Sequence, residues 1–528
     1  MAPRLVVLGW DSATFDVADP LMAAGRLPTL SALASRGYRA SLRSTWPPMT
    51  DCAWTSAFTG RNPGAHGIFG SWYRAPGAYA PRLFSSRDRL TPALWELTQG
   101  VRWLVWNVPM TFPPTPVEGA MVAGYGAPPG ARFCQPEDLR GELAARWPLD
   151  DLLDRAPHGT LERFLSDLKR GLERQAEALV WAASRSGADA VIAVWPHIDR
   201  AQHFLWRFRG TSHSLSGGVD AIYEAMDRAT GALLRAWPDA DVLVVSDHGA
   251  GPLRGDVNLG AWLVSGGRAA YRHTRRRPLL VAAWALPPAL RRAARGIAPG
   301  LARRAFGATL AGQLGPFEWS RTLAFAGFHG DLWINLKERE QQGTVTAARF
   351  PALRSELVEE LGALEDPRTG ERVFAAVMNK EEIYSGAAAG IAPDLMLDSW
   401  SAGYRVAPGR GPSEVVIDPA PLAGVNEPWS SDHRPHGIFV AAGPRLGTGT
   451  ASELNLYDVC PTALALLEQH VPDDLDGTVA RAALDEGWLE RHPVVEVPSS
   501  INHAGGGDYS DEEAAAVAAH LRDLGYIE

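Results

Sequence analysis

Leu5-Val6-Val7-Leu8-Gly9-Trp10-Asp11 opens the chain with a short apolar run that stops abruptly at glycine, tryptophan and a carboxylate. Further runs of the same form are Val101–Trp106, Ala190–Trp195, Val242–Val245 and Ile438–Ala442. Continuous apolar runs of this length fit strands buried on both faces of a parallel sheet. Segments of helical pattern lie between them, among them Leu161–Ser184 and Gly217–Trp237. Strand and helix in alternation predict an α/β fold: a doubly wound, mostly parallel sheet with helices on both faces. No internal repeat is present.

Around this pattern the 528 residues divide into a core with insertions. Residues 1–265 form the first part of the core. A stretch near 70–135, rich in proline, glycine and aromatic residues, is expected to be a cap insertion. Residues 266–320 form an arginine-rich helical insertion (Arg275-Arg276-Arg277, Arg291, Arg292, Arg295, Arg303, Arg304). It reads as a solvated helical face in preference to a basic lid that attracts an anionic substrate or a membrane. Residues 321–490 form the second part of the core, and 491–528 a C-terminal tail with a helix.

Composition excludes several classes. Hydrophobic residues at 46% and charged residues at 21% suit a globular chain and not a disordered one. A net charge of -9 argues against binding a nucleic acid polymer. No apolar run reaches the roughly 18–20 residues that span a bilayer. The first apolar run ends in Asp11, which is not the form of a signal peptide, so a cytoplasmic location is expected. Three cysteines (Cys52, Cys134, Cys460) are too few for a disulfide framework.

Ligands of open α/β sheets bind at the carboxyl ends of the strands. Asp11 follows the first run, Asp247-His248 follows Val242–Val245, and Asp199 and His203 follow Ala190–Trp195. Alone, each reads as a turn former or an ordinary hydrogen-bonded side chain. Together they gather three carboxylates and two imidazoles at one edge. Asp199 and His203 are four apart, so a helix puts them on one side. Carboxylate with imidazole suits zinc, manganese or iron better than calcium. A second constellation runs Trp46-Pro-Pro-Met-Thr50-Asp51, then Thr59-Gly60, Pro63-Gly64 and His66-Gly67. It places Thr50 at a helix start, where backbone N–H groups favour an anion. A threonine hydroxyl there becomes a nucleophile if a metal lowers its pKa.

These motifs, in this order, resemble the alkaline phosphatase superfamily, in its type I phosphodiesterase/nucleotide pyrophosphatase family. The matching residues are Leu8-Gly9-Trp10-Asp11, Thr50 to Gly67, Asp199-x-x-x-His203, Ser246-Asp247-His248-Gly249 and His433-Arg-Pro-His-Gly437. The resemblance implies an alkaline-phosphatase-like fold with cap insertions and a site of two divalent metal ions. Zinc is the expected metal, with manganese or iron as alternatives. It implies that Asp199, His203 and His433 hold one metal and that Asp11, Asp247, His248 and the Thr50 oxygen hold the other. Thr50 would attack phosphorus to give a phospho-threonine, which a metal-activated water then cleaves.

The implied activity is hydrolysis of phosphodiester or pyrophosphate bonds in a small phosphorylated substrate. Alternatives are a phosphomonoesterase, a phosphonate hydrolase, a phosphomutase, or a scaffold that keeps the fold without catalysis. His197 and His436 compete with His203 and His433 by proximity, and Thr111-Phe112-Pro113 imitates a nucleophile motif. Nucleotide pyrophosphatases follow the nucleophile with Phe-Pro-Asn, whose asparagine helps hold a phosphate oxygen; here Asp51-Cys52-Ala53 follows Thr50, so that contact is missing and a departure from nucleotide specificity is expected. Asp51, Asn107 and Lys337 are the further substrate-binding candidates, and His329 and Trp72 are candidates to line the cap. Cys52-Ala-Trp-Thr-Ser56 does not fit the sulfatase signature, so Cys52 reads as a small buried hydrophobe.

Overall fold

The computed structural model describes residues 2–74, 77–79, 81–128, 130–153, 160–271, 317–327, 329–407, 414–419, 429–499, 509 and 511–523. Nine strands build the central sheet. They are β1 (Leu5–Trp10), β2 (Tyr38–Arg43), β3 (Trp103–Trp106), β4 (Gly119–Val122), β5 (Cys134–Gln135), β6 (Ala190–Trp195), β7 (Asp241–Val245), β8 (His436–Ala442) and β9 (Gly449–Asn455). Their order across the sheet is β9-β2-β8-β7-β1-β6-β3-β4-β5. Neighbours from β7 to β4 run parallel, as do β2 and β9. β8 is antiparallel to both its neighbours, and β5 to β4. Every residue of β1, β3, β6 and β7 is buried, which explains their unbroken apolar sequence.

Helices cover the sheet. Leu161–Ser186 is the longest described helix. It turns Phe164, Leu168, Leu172, Ala176 and Leu179 inward at helical spacing. The Thr160 side chain caps its start, and Gly187 in the left-handed region (φ 62) ends it. It packs against the Gly218–Ala236 helix. Among the described residues, no helix is long and apolar enough to cross a membrane.

A second hydrophobic cluster sits on a four-stranded antiparallel sheet of Ala324–Ala326, Asp331–Ile334, Leu395–Leu397 and Val377–Asn379. The helix Phe350–Gly362 contributes Leu353, Leu357 and Leu361 to it. Most of the cluster comes from described residues between 324 and 407, joined by Phe69, Val257, Leu259, Leu263 and Phe317, and the chain rejoins the central sheet at β8. The 70–135 stretch divides between the two clusters. In the hairpin Trp72–Arg74/Pro81–Leu83, Trp72 and Leu83 pack into the central core, whereas Tyr73 packs into the second cluster, against Trp333. Strand alternation puts neighbouring side chains on opposite faces. The rest of that stretch, β3 to β5, is one margin of the central sheet. In the arginine-rich insertion, residues 272–316 lie outside the described residues. The tail helix is Asp511–Asp523, with Val517, Ala518 and Leu521 buried in the central core.

Candidate metal centre

Parallel register brings the site together. Trp10 lies opposite Trp195, and Gly9 opposite Val245, so β1, β6 and β7 end level with one another. Asp11 leaves β1 there. The helix His197–Leu205, carrying Asp199 and His203, begins two residues after β6. Asp247-His248 follows β7. His433 arrives from elsewhere in the chain, on the strand Ser431–Arg434. That strand pairs antiparallel with Gly249–Pro252, with His433 opposite Ala250. Thr50 is the first residue of the Thr50–Thr59 helix, which closes at Gly60 in the left-handed region (φ 66).

The six predicted Asp and His ligands and Thr50 converge and are buried. His203 Nε2 and His433 Nε2 lie 3.0 Å and 3.5 Å from Asp199 Oδ1. His248 Nε2 lies 3.1 Å from Asp247 Oδ2 and 3.9 Å from Asp11 Oδ1. Thr50 Oγ1 is 3.3 Å from the same His248 nitrogen. Ligand atoms of Asp199, His203 and His433 fall within 4.8 Å of one another, and so do those of Asp11, Asp199 and His248. Asp199 thus belongs to both groupings, a compactness that the residue spacing did not show.

This donor set fits divalent cations. Asp11 Oδ1, both Asp199 oxygens, Asp247 Oδ2, His203 Nε2 and His433 Nε2 are buried and have no hydrogen-bond partner outside the cluster itself. Buried polar atoms are otherwise almost always paired. The outer atoms, by contrast, are fixed. His203 Nδ1 lies 3.0 Å from the Ser431 carbonyl, His433 Nδ1 2.8 Å from that of Pro48, and His248 Nδ1 3.1 Å from that of Gly249. A carbonyl only accepts, so each Nδ1 carries a proton, and in the neutral ring Nε2 is the nitrogen whose lone pair could face a metal. Trp54 Nε1–H donates to Asp11 Oδ2 at 3.1 Å, and the Ser12 N–H donates to Asp247 Oδ1 at 3.2 Å.

Charge is concentrated here. Burial, then the Asp247 and Asp199 carboxylates, hold Asp11 well above the usual carboxylate range. Burial works against ionisation of Asp199 too, but His203 and His433 draw it well below that range. Burial lowers His433, yet the carboxylates of Asp199, Asp432 and Asp247 push it up to about 9. A pocket that holds a proton this firmly offers a cation the same field.

A model of the type I phosphodiesterase/nucleotide pyrophosphatase family matches residues 5–421. The chain belongs to that family. It is therefore a hydrolase of the phosphodiesterase and pyrophosphatase type, in the alkaline phosphatase superfamily. No curated protein matches it in sequence. Among solved structures it is similar to an inactive variant of murine ectonucleotide pyrophosphatase/phosphodiesterase 5 in complex with AMP. That likeness has 12% identity, covers 92% of this chain and 100% of that one, and has a TM-score of 0.51. It is also similar to phosphonoacetate hydrolase from Sinorhizobium meliloti in complex with phosphonoformate. There the identity is 16%, the coverage 87% of this chain and 94% of that one, and the TM-score 0.50. These likenesses confirm the alkaline-phosphatase-like fold. The family match stops before His433, so the place of that residue rests on its 3.5 Å approach to Asp199.

Other residues of the family motifs serve the frame. His66 Nδ1 accepts from the Ile68 N–H at 3.1 Å, so its Nε2 carries the proton and donates to Ser56 Oγ at 2.8 Å. Burial pushes its pKa down to about 3, and the ring stays neutral. His66-Gly67 here braces the Thr50–Thr59 helix. Gly9 is required by close approach: a Cβ would sit 2.6 Å from Trp54 Cη2 and 2.9 Å from Val194 Cγ2.

The remaining candidates separate. His436 is exposed and lies 2.9 Å from Glu453, and His197 stands outside both ligand groupings. The Thr111 hydroxyl donates to the Val108 carbonyl at 2.6 Å. Cys52 is fully buried, and burial raises its thiol pKa. Asp51 accepts from Ser71 Oγ, and burial raises its carboxyl to about 7. Asn107 points inward, its amide donating to the Leu152 carbonyl at 3.0 Å. Lys337 is exposed, beyond the strand Asp331–Ile334. Neither is brought to the ligand cluster.

Two tryptophan side chains that touch the candidate ligands were not singled out by sequence. Trp54 stands four residues after Thr50 on one helix, a spacing that shares a face and could have marked it. Trp429 stacks on His203 with ring centroids 3.7 Å apart, and it lies in a loop without periodicity.

Proposed function

We propose that the protein hydrolyses phosphodiester or pyrophosphate bonds of small phosphorylated substrates at a two-cation centre, with Thr50 as nucleophile. The observation that carries this reading is the burial, without partners outside the cluster, of ligand atoms on Asp11, Asp199, Asp247, His203 and His433 beside the Thr50 hydroxyl. Asp199, His203 and His433 would hold one cation. Asp11, Asp247 and His248, with the Thr50 oxygen, would hold the other. Bound there, divalent cations would offset phosphoryl charge and favour the ionised threonine.

The protein's own residues do the remaining work. Thr50 Oγ1 forms a bond to phosphorus as the bond to the leaving oxygen breaks, giving a phospho-threonine that water then cleaves. The first N–H groups of the Thr50–Thr59 helix have no partner within the helix and favour the developing anion. Three backbone carbonyls hold the imidazole planes, so the site needs little rearrangement. Asp51, the residue after Thr50, adds a carboxyl beside the nucleophile. When ionised it disfavours a doubly charged monoester more than a singly charged diester. Zinc is the proposed metal, with manganese or iron as alternatives on the same ligands.

The test is elemental analysis of the purified protein together with hydrolysis of bis-p-nitrophenyl phosphate and p-nitrophenyl phosphate. Two cations per chain, faster cleavage of the diester, and loss and recovery of activity on chelation and zinc addition are expected. Faster cleavage of the monoester would overturn the diester assignment, and a protein that takes up no metal would overturn the mechanism.

A further inference from the structure

The Trp429-Ser430-Ser431 run grips His203 from three directions. The indole of Trp429 lies against the imidazole, with centroids 3.7 Å apart and planes 26° from parallel. Ser430 donates to the His203 carbonyl from its N–H at 2.8 Å and from its hydroxyl at 3.0 Å. The Ser431 carbonyl faces His203 Nδ1 at 3.0 Å. Two residues later the same run supplies His433, whose Nε2 shares Asp199 Oδ1 with His203. Trp429 itself is buried, with 8% of its surface exposed. The Arg405 guanidinium lies over its ring, 5.4 Å from the centroid. Arg405 is in turn held by both oxygens of Asp256 at 2.8 Å and 2.7 Å. Asp256 and Arg405 face one another across the parallel pair Gly255–Asn258 and Tyr404–Ala407, so the anchor stands on rigid elements.

A hydrogen bond at Nδ1 fixes which nitrogen is free, but the ring can still tilt about that contact. A stacked plane removes the tilt and aims the Nε2 lone pair. Outer contacts of this kind typically change metal affinity by 10–100-fold. We propose that Trp429, fixed by Arg405, is the positioning residue that aims His203 at the cation shared with Asp199 and His433, and so sets the affinity of that site selectively over the other. The inference rests on the two-cation reading above.

The experiment is titration of the metal-stripped, full-length protein with cobalt(II), followed by its visible absorption and by competition with a chelator. Wild type, Trp429→Ala, Trp429→Phe and His203→Ala are compared. Wild type should take up two cobalt ions. Trp429→Ala should keep one near wild-type affinity and bind the other about 10–100-fold more weakly, with an altered absorption band. His203→Ala should show the same asymmetry in stronger form. Trp429→Phe restores a flat ring and should recover most of the affinity, which a merely space-filling role would not require. If Trp429→Ala does not fold, Trp429→Leu, which keeps apolar volume without a flat face, carries the same expectation. Two ions bound by Trp429→Ala or Trp429→Leu with wild-type affinity and spectrum would overturn the positioning role and leave the two-cation reading standing. No cobalt uptake by wild type would overturn both.

Discussion

Trp54→Phe removes the indole N–H from the site and leaves a smaller flat ring in a fully buried place. The indole N–H donates to Asp11 Oδ2 at 3.1 Å, while the ring stacks on Phe58 with centroids 5.6 Å apart. Phenylalanine keeps a flat apolar ring there and loses the donor. A hydrogen bond to an ionised group is worth ~1.5–3 kcal/mol, and each ~1.4 kcal/mol is tenfold, so cation affinity should fall roughly 10–100-fold at the Asp11 site. The loss should grow as pH falls. The Trp54 donor is one of the few contacts that lower the Asp11 pKa against its burial, so without it a proton competes better with the cation. The assay is zinc competition against a chelator near pH 8 and again near pH 6, with thermal unfolding of the metal-free protein as a control for packing. Affinity within twofold of wild type at both pH values would refute the idea that Trp54 holds Asp11 in its ligating form.

The other expectations concern charge and space. The metal-free Asp51→Asn variant should gain stability over wild type as pH rises from about 4 to 7, and hold that gain above. The folded Asp51 titrates at about 7 against 3.8 for a free side chain, so the wild-type fold binds the extra proton in that window and loses stability through it. Melting temperatures across pH show the difference, and parallel curves would contradict it. The same variant should raise monoester relative to diester hydrolysis, measured as the ratio of kcat/KM values. At the Asp199–His203–His433 site, zinc affinity should climb with pH and level off near 9, where His433 gives up its proton. Isothermal titration at several pH values reads this directly, and a flat profile below 9 would contradict it. Gly9→Ala should cost ~1–3 kcal/mol by overpacking, because its methyl would lie 2.6 Å from Trp54 Cη2. A denaturant midpoint unchanged from wild type would show that the strand gives way without cost.

The central strands and the cluster of candidate ligand residues were legible because one physical fact marks both. A strand buried on both faces must be apolar throughout, so its end is conspicuous, and Asp11 and Asp247 stand at two such ends. Asp199 and His203 added helical spacing. The edges were less legible. β9 is written Gly-Thr-Ala-Ser-Glu-Leu-Asn and is largely exposed, so nothing apolar announces it. The second cluster hid for a related reason. Its strands Ala324–Ala326 and Leu395–Leu397 are three residues long, too short for a period to register. Within the 70–135 stretch the Val101–Trp106 run reads as a strand and is β3, but prolines and aromatics outweighed the four-residue β4, and the stretch as a whole read as an insertion. Trp429 and two of the three carbonyls on the imidazoles depend on segments meeting across hundreds of residues, such as Pro48 with His433, whereas the third belongs to Gly249, the neighbour of His248 itself. No local pattern encodes such a meeting.

The most direct measurement of the central claim is turnover of bis-p-nitrophenyl phosphate by Thr50→Ala, with the metal content of the same preparation. The Thr50 hydroxyl lies 3.3 Å from His248 Nε2, at the rim of the ligand set, so its removal takes away the nucleophile and leaves the six Asp and His ligands in place. Two bound cations and turnover reduced by ~10³-fold or more are expected, the scale on which covalent catalysts lose rate without their nucleophile. Turnover near the wild-type rate with both metals bound would contradict this expectation and would assign the attack on phosphorus to another group.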